Sequence, residues 1–181
     1  MEEKPEEKKR SQSHYIVETM PFVVTIAIVI LGALLFPFFL RVRQAARASS
    51  CASSTKQIDA AVLKYCGKHD GRFPPAEKWN DVIPQGHRHI LHDCPSAKSH
   101  KPVYAMNARV EGLTLSSIQD PRHTVLVFES RPGENLSGGQ ELLPTEFRHY
   151  DAYYVGFVDG SVRLLTKNEI GKLVWDPHNR E

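Results

Sequence analysis

Histidine and cysteine side chains gather in the middle of the chain, where the chemistry to consider first is metal binding. The run consists of His87, His89, His92 and Cys94, with His100 close behind. Zinc sites use these side chains, usually with about two to four residues between paired cysteines or about three to five between paired histidines. The run matches neither pattern cleanly. We therefore predict a polar, solvated loop here and no metal site.

A second polar group lies nearer the C-terminus. His149 is followed by nine residues and then by Asp159-Gly160, and Arg148 and Glu129 are its candidate neighbours. One interpretation is a polar cluster near a sheet edge that binds a hard cation such as calcium, which prefers carboxylate oxygens. In the other interpretation, Asp159 shapes a turn and His149 hydrogen-bonds a nearby loop. We favour the second, structural interpretation, and no cofactor is predicted.

No catalytic motif accompanies these residues. The chain contains no nucleophile elbow, no zinc-hydrolase helix motif and no phosphate-binding loop. Its formal net charge of +2 is too small to suggest a nucleic-acid partner. We therefore predict that the protein is not an enzyme and does not bind nucleic acid.

The longest apolar stretch predicts a membrane anchor. Residues 21–40 carry no charged side chain, and at about 1.5 Å per residue they reach roughly 30 Å, the thickness of a bilayer's hydrocarbon core. We assign residues 16–40 to a transmembrane segment in contact with membrane lipid, and residues 1–15 to a charged, disordered tail. A cleaved secretory signal is the nearest alternative, but its apolar region would span only about 7–15 residues. Basic residues flank the stretch on both sides, and their count slightly favours a cytoplasmic N-terminus.

A helical period continues beyond the apolar stretch. Apolar and small residues repeat at steps of three and four, which predicts one buried stripe on a helix that ends near Cys66. The stripe comprises Cys51, Thr55, Ile58, Val62 and Tyr65. Pro37 is expected to kink the helix, because proline removes a backbone donor and clashes with the preceding turn. Residues 41–181 are assigned to one extracytoplasmic head that includes the outer half of this helix.

The rest of the head predicts a small sheet. Residues 125–128 are apolar on both faces, which is typical of a central strand. Asp159-Gly160 predicts a two-residue hairpin turn. Counting outward from that turn pairs Phe157 with Val162 and Val155 with Leu164, all four on one face. The predicted fold class is therefore α+β, with a long N-terminal transmembrane helix packed on a small antiparallel β-sheet.

Three cysteines lie on the presumed outer side of the membrane. Cys66 lies fifteen positions after Cys51, about 22 Å along a helix at about 1.5 Å per residue. A disulfide requires Cα atoms within about 7 Å, so these two cannot pair on a continuous helix. Any bridge must therefore use Cys94, and three reduced thiols are the alternative.

Several segments, in this order and spacing, resemble the prepilin-type proteins, which include type IV pilins and type II secretion pseudopilins. The resemblance covers much of residues 22–165. One group of these proteins is named for a histidine, nine residues and Asp-Gly, the signature found here at His149 and Asp159-Gly160. The matching segments are ALLFPFFLRVRQAARASSC (33–51), KQIDAAVLKYCGKHDGRFPP (56–75), Cys94-Pro95-Ser96 and RHYDAYYVGFVDGSVRLL (148–165).

The resemblance implies a pilin-like fold and a structural role. Such a protein is a single-pass subunit of the bacterial inner membrane, with its C-terminal head in the periplasm or at the cell exterior. It assembles through its N-terminal helix, here residues 22–66, with copies of itself or with other pilin-like subunits of a pilus or a type II secretion apparatus. The resemblance also implies a disulfide between Cys51 and Cys94, which leaves Cys66 free or available for an intermolecular bridge.

The processing site departs from the family pattern. When Pro37 is aligned with the family's helix proline, Ile16 becomes the first mature residue. Tyr15 then stands where the family has glycine, and Met20 stands where it has glutamate. The alternative is therefore an uncleaved, non-polymerising, membrane-anchored binding or interaction module with a pilin fold.

Overall fold

The first element is one long helix, α1, which runs from Pro5 to Lys68. The structure, a computed structural model, describes residues 5–92, 94–97, 99, 101–146, 148–149 and 151–178. The chain divides into two compact units, Met1–Ala45 and Ala46–Glu181, and α1 contributes residues to both. The helix includes most of the stretch for which the sequence predicts a disordered tail. Glutamate, lysine, arginine and glutamine are frequent there, and these good helix formers extend an existing helix at little cost.

The first unit exposes a continuous apolar surface. The large apolar side chains between Met20 and Val42 are 47–73% exposed. Within the part of the chain that the structure describes, α1 is the one helix long and apolar enough to span a membrane. Both Pro21 and Pro37 lie inside this helix.

The second unit contains a five-stranded sheet with the order β3-β1-β2-β4-β5. Its strands are β1 (Tyr104–Asn107), β2 (Val125–Glu129), β3 (Ser137–Gly138), β4 (Ala152–Phe157) and β5 (Val162–Thr166). The prediction of a wholly antiparallel sheet is wrong, because β3 pairs with β1 in parallel while the other three pairs are antiparallel. After β2 the chain turns back, but β2 already pairs with β1 on one edge and with β4 on the other. The two-residue β3 therefore pairs with the remaining edge of β1, to which it runs parallel.

Apolar side chains cover both faces of this sheet. On one face, Ile58 and Val62 of α1 pack in a core with Tyr104 and Met106 of β1. The other face carries a second core. Its main members are Ala105, Val125, Phe128, Leu142, Tyr153, Val155, Phe157 and Ile170. All five residues of β2 are buried and β2 lies between two other strands, which confirms the predicted central strand.

The buried stripe on α1 follows the predicted spacing with one shift. Cys51, Thr55, Ile58 and Val62 are wholly buried, whereas Tyr65 is only partly buried and Cys66 takes the last buried position. Short helical segments complete the unit. They are the 3₁₀ segments Ala76–Val82, Gln85–Leu91, Ala108–Val110, Leu115–Ser117 and Gln140–Leu142, and the single-turn helix α2 (Lys167–Ile170).

The terminal hairpin joins β4 to β5 through a three-residue loop, so the predicted two-residue turn is wrong. The N–H of Gly160 donates to the carbonyl of Phe157 at 2.8 Å, and the N–H of Phe157 donates to the carbonyl of Ser161 at 2.9 Å. Gly160 has a φ of +80°, the left-handed conformation that such a loop requires. The extra loop residue shifts the strand register by one, and a shift of one moves every side chain of a strand to the other face.

The corrected register pairs Val155 with Arg163 and Tyr154 with Leu164. Arg163 therefore joins the face of Val155, where its guanidinium carbon lies 3.7 Å from the centre of the Phe157 ring. Leu164 lies on the opposite face and is 41% exposed. The predicted face of four apolar residues is thus divided between the two sides of the hairpin.

Replacing Gly160 with valine is expected to lower the free energy of unfolding by about 1–3 kcal/mol, because a β-branched residue disfavours positive φ. Any added Cβ would also lie 3.4 Å from Leu63 of α1. The matched control is Gly67→Val, since a Cβ at Gly67 meets nothing within 4 Å. Urea unfolding of the two variants measures the difference, and equal stabilities would mean that the turn does not constrain the fold.

Candidate functional site

Buried polar side chains meet where four segments of the second unit come together. They are Cys51 on α1, Cys94 in the loop after Gln85–Leu91, Glu129 at the end of β2 and His149 just before β4. None of the four is more than 3% exposed. One ligand atom from each residue lies within 4.8 Å of the others. We call these four residues the buried polar cluster.

Cys51 and Cys94 form a disulfide, the pairing that the family resemblance implies. Their Cα atoms are 4.8 Å apart, and 43 positions separate them in the sequence. The bond ties α1 to the loop that precedes β1. Cys66 is the free cysteine, and its side chain is wholly buried. Burial raises the pKa of the Cys66 thiol to about 11, so the thiol stays protonated at neutral pH.

Glu129 and His149 form a buried pair. The Glu129 Oε1 atom lies 3.0 Å from His149 Nε2, and its Oε2 atom accepts a hydrogen bond from the N–H of Tyr154 at 3.0 Å. Both carboxylate oxygens therefore have partners, which offsets the cost of removing a charge from water. A tight turn places His149, because Asp151 has a φ of +61° and the N–H of Ala152 donates to the His149 carbonyl.

The disulfide lies directly against this pair. The Cys94 Sγ atom is 3.5 Å from Glu129 Oε1 and 3.8 Å from His149 Nε2. Arg148 is close by, and its Nη2 donates to the Ser130 carbonyl at 2.7 Å. Burial lowers the pKa of Arg148, while the negative charge of Glu129 acts in the opposite direction. The cluster thus combines sulfur, imidazole and carboxylate groups beside a cation, in a space shielded from water.

Tyr104 borders the cluster on the helix side. Its hydroxyl donates to the Cys51 carbonyl at 3.5 Å. Burial raises the pKa of Tyr104 well above its ordinary value, and the charge of Glu129 adds to that effect. The phenol is therefore a permanent hydrogen-bond donor.

The structure separates the two ends of the His–Asp-Gly signature. His149 precedes β4 and Asp159-Gly160 follows it, and the strand between them measures roughly 17 Å from its first to its last residue, at about 3.3 Å per step. Asp159 accepts hydrogen bonds from the N–H and the hydroxyl of Ser161, at 2.9 and 2.6 Å. His149, Glu129 and Arg148 lie together, whereas Asp159 and Gly160 do not join them. The five residues therefore do not form one cluster: Asp159 shapes the turn, as the favoured interpretation expects, and His149 bonds to Glu129 of β2 instead of to a loop.

The residues of the histidine and cysteine run in the middle of the chain do not lie together either. His87, His89 and His92 are exposed, and His100 lies outside the described residues. Cys94 points into the interior instead and lies against Glu129 and His149. The spacing of residues along the sequence could not predict this arrangement, because Glu129 on β2 and His149 before β4 are both distant from Cys94 along the chain.

A buried carboxyl group on α1 also escaped the sequence analysis. Asp59 is wholly buried, and neither of its carboxylate oxygens has a hydrogen-bond partner among the described residues. It faces Gly156 of β4, where an added Cβ would lie 2.7 Å from Asp59 Oδ1. Burial, followed by the nearby charge of Asp159, raises the pKa of Asp59 from 3.8 to about 8. Its place between Thr55 and Val62 was the available signal, since those positions form the buried stripe.

Comparisons of the chain with protein-family models, with curated proteins and with solved structures find no match.

Proposed function

We propose that this protein is a membrane-anchored, pilin-like structural subunit of a pilus or a type II secretion apparatus. Residues 22–66 assemble with copies of the chain or with other pilin-like subunits. The C-terminal head lies in the periplasm or at the exterior of a bacterial cell. The observation that carries the proposal is the apolar surface of α1, whose large side chains between Met20 and Val42 are 47–73% exposed.

Such a surface needs an apolar partner. Each square ångström of apolar area left in water costs about 25 cal/mol, and this segment exposes sixteen large apolar side chains. A helix satisfies all its backbone hydrogen bonds internally, so it packs equally well against lipid or against other helices. A pilin-like subunit meets both environments, because its helix lies in membrane lipid before assembly and packs against other helices afterwards.

The signature residues support a structural role for the head. His149 and Asp159-Gly160 bracket β4: the first binds Glu129 and the second shapes the hairpin loop. Both carboxylate oxygens of Glu129 are engaged within the fold. The proposal therefore gives the head no catalytic role and no nucleic-acid partner.

The processing site favours a second candidate function. Tyr15 and Met20 replace the glycine and glutamate of the family pattern, so a prepilin peptidase has a poor substrate. An uncleaved chain would remain a single-pass, non-polymerising module whose head binds a partner outside the cytoplasm. The two candidates differ in what surrounds the apolar helix, which is protein in the first and lipid in the second.

The intact mass and N-terminal sequence of the protein from its native membranes test the proposal. The assembling subunit is expected to begin at or near Ile16. A chain that begins at Met1 or Glu2 would instead support the anchored module.

Cross-linking tests assembly separately. Ile28 is 64% exposed on α1, so Ile28→Cys is expected to give covalent dimers under mild oxidation in native membranes. Ser116→Cys, at an exposed position of the head, is the matched control and is expected to stay monomeric. Monomers from both variants would contradict assembly through α1.

A further inference from the structure

We propose that the buried polar cluster is a zinc site in the reduced protein, and that zinc and the Cys51–Cys94 disulfide exclude each other. The ligands are the sulfurs of Cys51 and Cys94, Nε2 of His149 and a carboxylate oxygen of Glu129. All four atoms lie within 4.8 Å of one another. The site is distinct from α1's apolar surface and does not depend on assembly or processing.

The distances suit tetrahedral zinc. Bonds of about 2.3 Å to sulfur and about 2.0–2.1 Å to nitrogen or oxygen place the ligand atoms of such a site roughly 3.3–3.8 Å apart. Cys94 Sγ lies 3.5 Å from Glu129 Oε1 and 3.8 Å from His149 Nε2, and both distances fall in this range. Coordination also requires the hydrogen-bonded Glu129–His149 pair, at 3.0 Å, to move apart by a few tenths of an ångström. No two of the four ligand atoms are more than 4.8 Å apart, so once the disulfide opens, shifts of about 1 Å bring all of them to bonding positions. The Cα atoms of the two cysteines, 4.8 Å apart, are already close enough for both to reach one ion.

The donor set selects zinc over other ions. Two thiolates, one imidazole and one carboxylate are ligand types that structural zinc sites use. Calcium and magnesium prefer oxygen alone, and the cluster offers a single carboxylate. Copper(I) favours sulfur without a carboxylate. Four protein ligands also close the site, as in zinc sites that stabilise a fold.

The charges around the cluster balance when zinc is bound. Two thiolates and one carboxylate carry three negative charges, and Zn²⁺ supplies two positive charges. The guanidinium of Arg148 supplies the third, and its Nη2 donates at 2.7 Å to the carbonyl of Ser130, the residue after Glu129. The hydrogen bond from the N–H of Tyr154 to Glu129 Oε2 leaves Oε1 oriented toward the cysteines. A buried site with no net charge avoids the cost of an uncompensated ion.

The disulfide form and the zinc-bound form interconvert by thiol–disulfide exchange coupled to zinc binding. A dithiol reductant breaks the S–S bond, each cysteine gains one electron and one proton, and the dithiol becomes a disulfide. Zinc then displaces the two thiol protons to solvent and stays divalent. In the reverse direction, a disulfide oxidant forms the S–S bond and releases the ion. Either state cross-links α1 to the loop before β1, and zinc adds β2 and the segment before β4 to the link.

Zinc titration of the full chain in detergent micelles, in competition with a chromophoric chelator, tests this site. The same preparation is divided into an oxidised sample and one reduced with a phosphine. The reduced chain is expected to bind one Zn²⁺, and the oxidised chain to bind it at least about 100-fold more weakly. Co²⁺ is expected to give the thiolate charge-transfer band and the visible bands of a tetrahedral site in the reduced sample alone.

Variants identify the ligands. Cys94→Ser and His149→Gln are each expected to weaken zinc binding of the reduced chain by at least about 100-fold. His89→Gln, at an exposed position, is the matched control and is expected to bind as the wild type does. The proposal is overturned if the reduced wild type binds no zinc, if oxidation leaves the affinity unchanged, or if the control loses binding. The comparison of oxidised and reduced wild type needs no variant to fold.

Discussion

Replacing Asp59 with asparagine is expected to stabilise the head by roughly 2–5 kcal/mol at pH 8 and to change its stability little at pH 4. The Asp59 carboxyl is wholly buried without a hydrogen-bond partner among the described residues, and burial raises its pKa from 3.8 to about 8. Because the native pKa lies above the unfolded one, the folded state binds the extra proton between these values. This contribution is complete below about pH 4, declines as the pH rises and is lost above about pH 8. Asparagine has no proton to lose and gains no charge in this range.

Urea unfolding of the oxidised full chain between pH 4 and pH 9 measures this effect. Tryptophan fluorescence reports on the head alone, because Trp79 and Trp175 both lie there. The matched control is Asp81→Asn, since Asp81 is an exposed carboxylate paired with Arg88. We expect the control to keep the wild-type pH dependence. If Asp59→Asn kept it as well, the Asp59 carboxyl would not be the group that titrates.

Replacing Cys94 with serine is expected to lower the free energy of unfolding of the oxidised head by roughly 3–4 kcal/mol. The disulfide closes a loop across 43 positions, and in the chain-entropy model a cross-link of that span removes much freedom from the unfolded chain. The measurement is urea unfolding in a metal-free buffer, so that zinc does not restore the link. An unchanged free energy of unfolding would contradict the Cys51–Cys94 disulfide.

The reduced wild type is the matched reference for this variant. It lacks the same bond and keeps every side chain, so in metal-free buffer its stability should approach that of Cys94→Ser. Cys66→Ser is a less suitable reference, because Cys66 is wholly buried and its substitution places a hydroxyl in the core. A variant far less stable than the reduced wild type would show that serine disturbs Glu129 and His149 directly.

The spacing of apolar residues within single helices and strands was enough to predict much of the fold. The buried stripe on α1 and the central strand β2 were both predictable, since each depends on the spacing of apolar residues within one element. The hairpin was predictable as a hairpin but not in its register. Three-residue and two-residue loops share an Asp-Gly signal, and hydrogen bonding at Gly160 decides between them.

The candidate site shows the same division. Cys94, Glu129, Arg148 and His149 were all singled out from the sequence, but in groups assembled by proximity along the chain. In the structure, Cys94 is buried whereas the neighbouring histidines are exposed, and β4 separates Asp159 from His149. Asp59 was missed because a carboxylate is ordinarily assigned to a solvated face, although its position between Thr55 and Val62 already lay on the buried stripe.

Four features of this protein follow from its amino-acid sequence alone: an apolar helix long enough to span a membrane, a helical stripe of buried residues, a central strand and a terminal hairpin. Each follows from the period of side chains along a backbone of known geometry. Tertiary structure alone decided the parallel pairing of β3, the strand register, the meeting of Cys51 and Cys94 with Glu129 and His149, and the burial of Asp59. These features depend on which segments pack together in the core. Contacts between segments that are distant along the chain produce no regular spacing in the sequence, so they cannot be predicted from it.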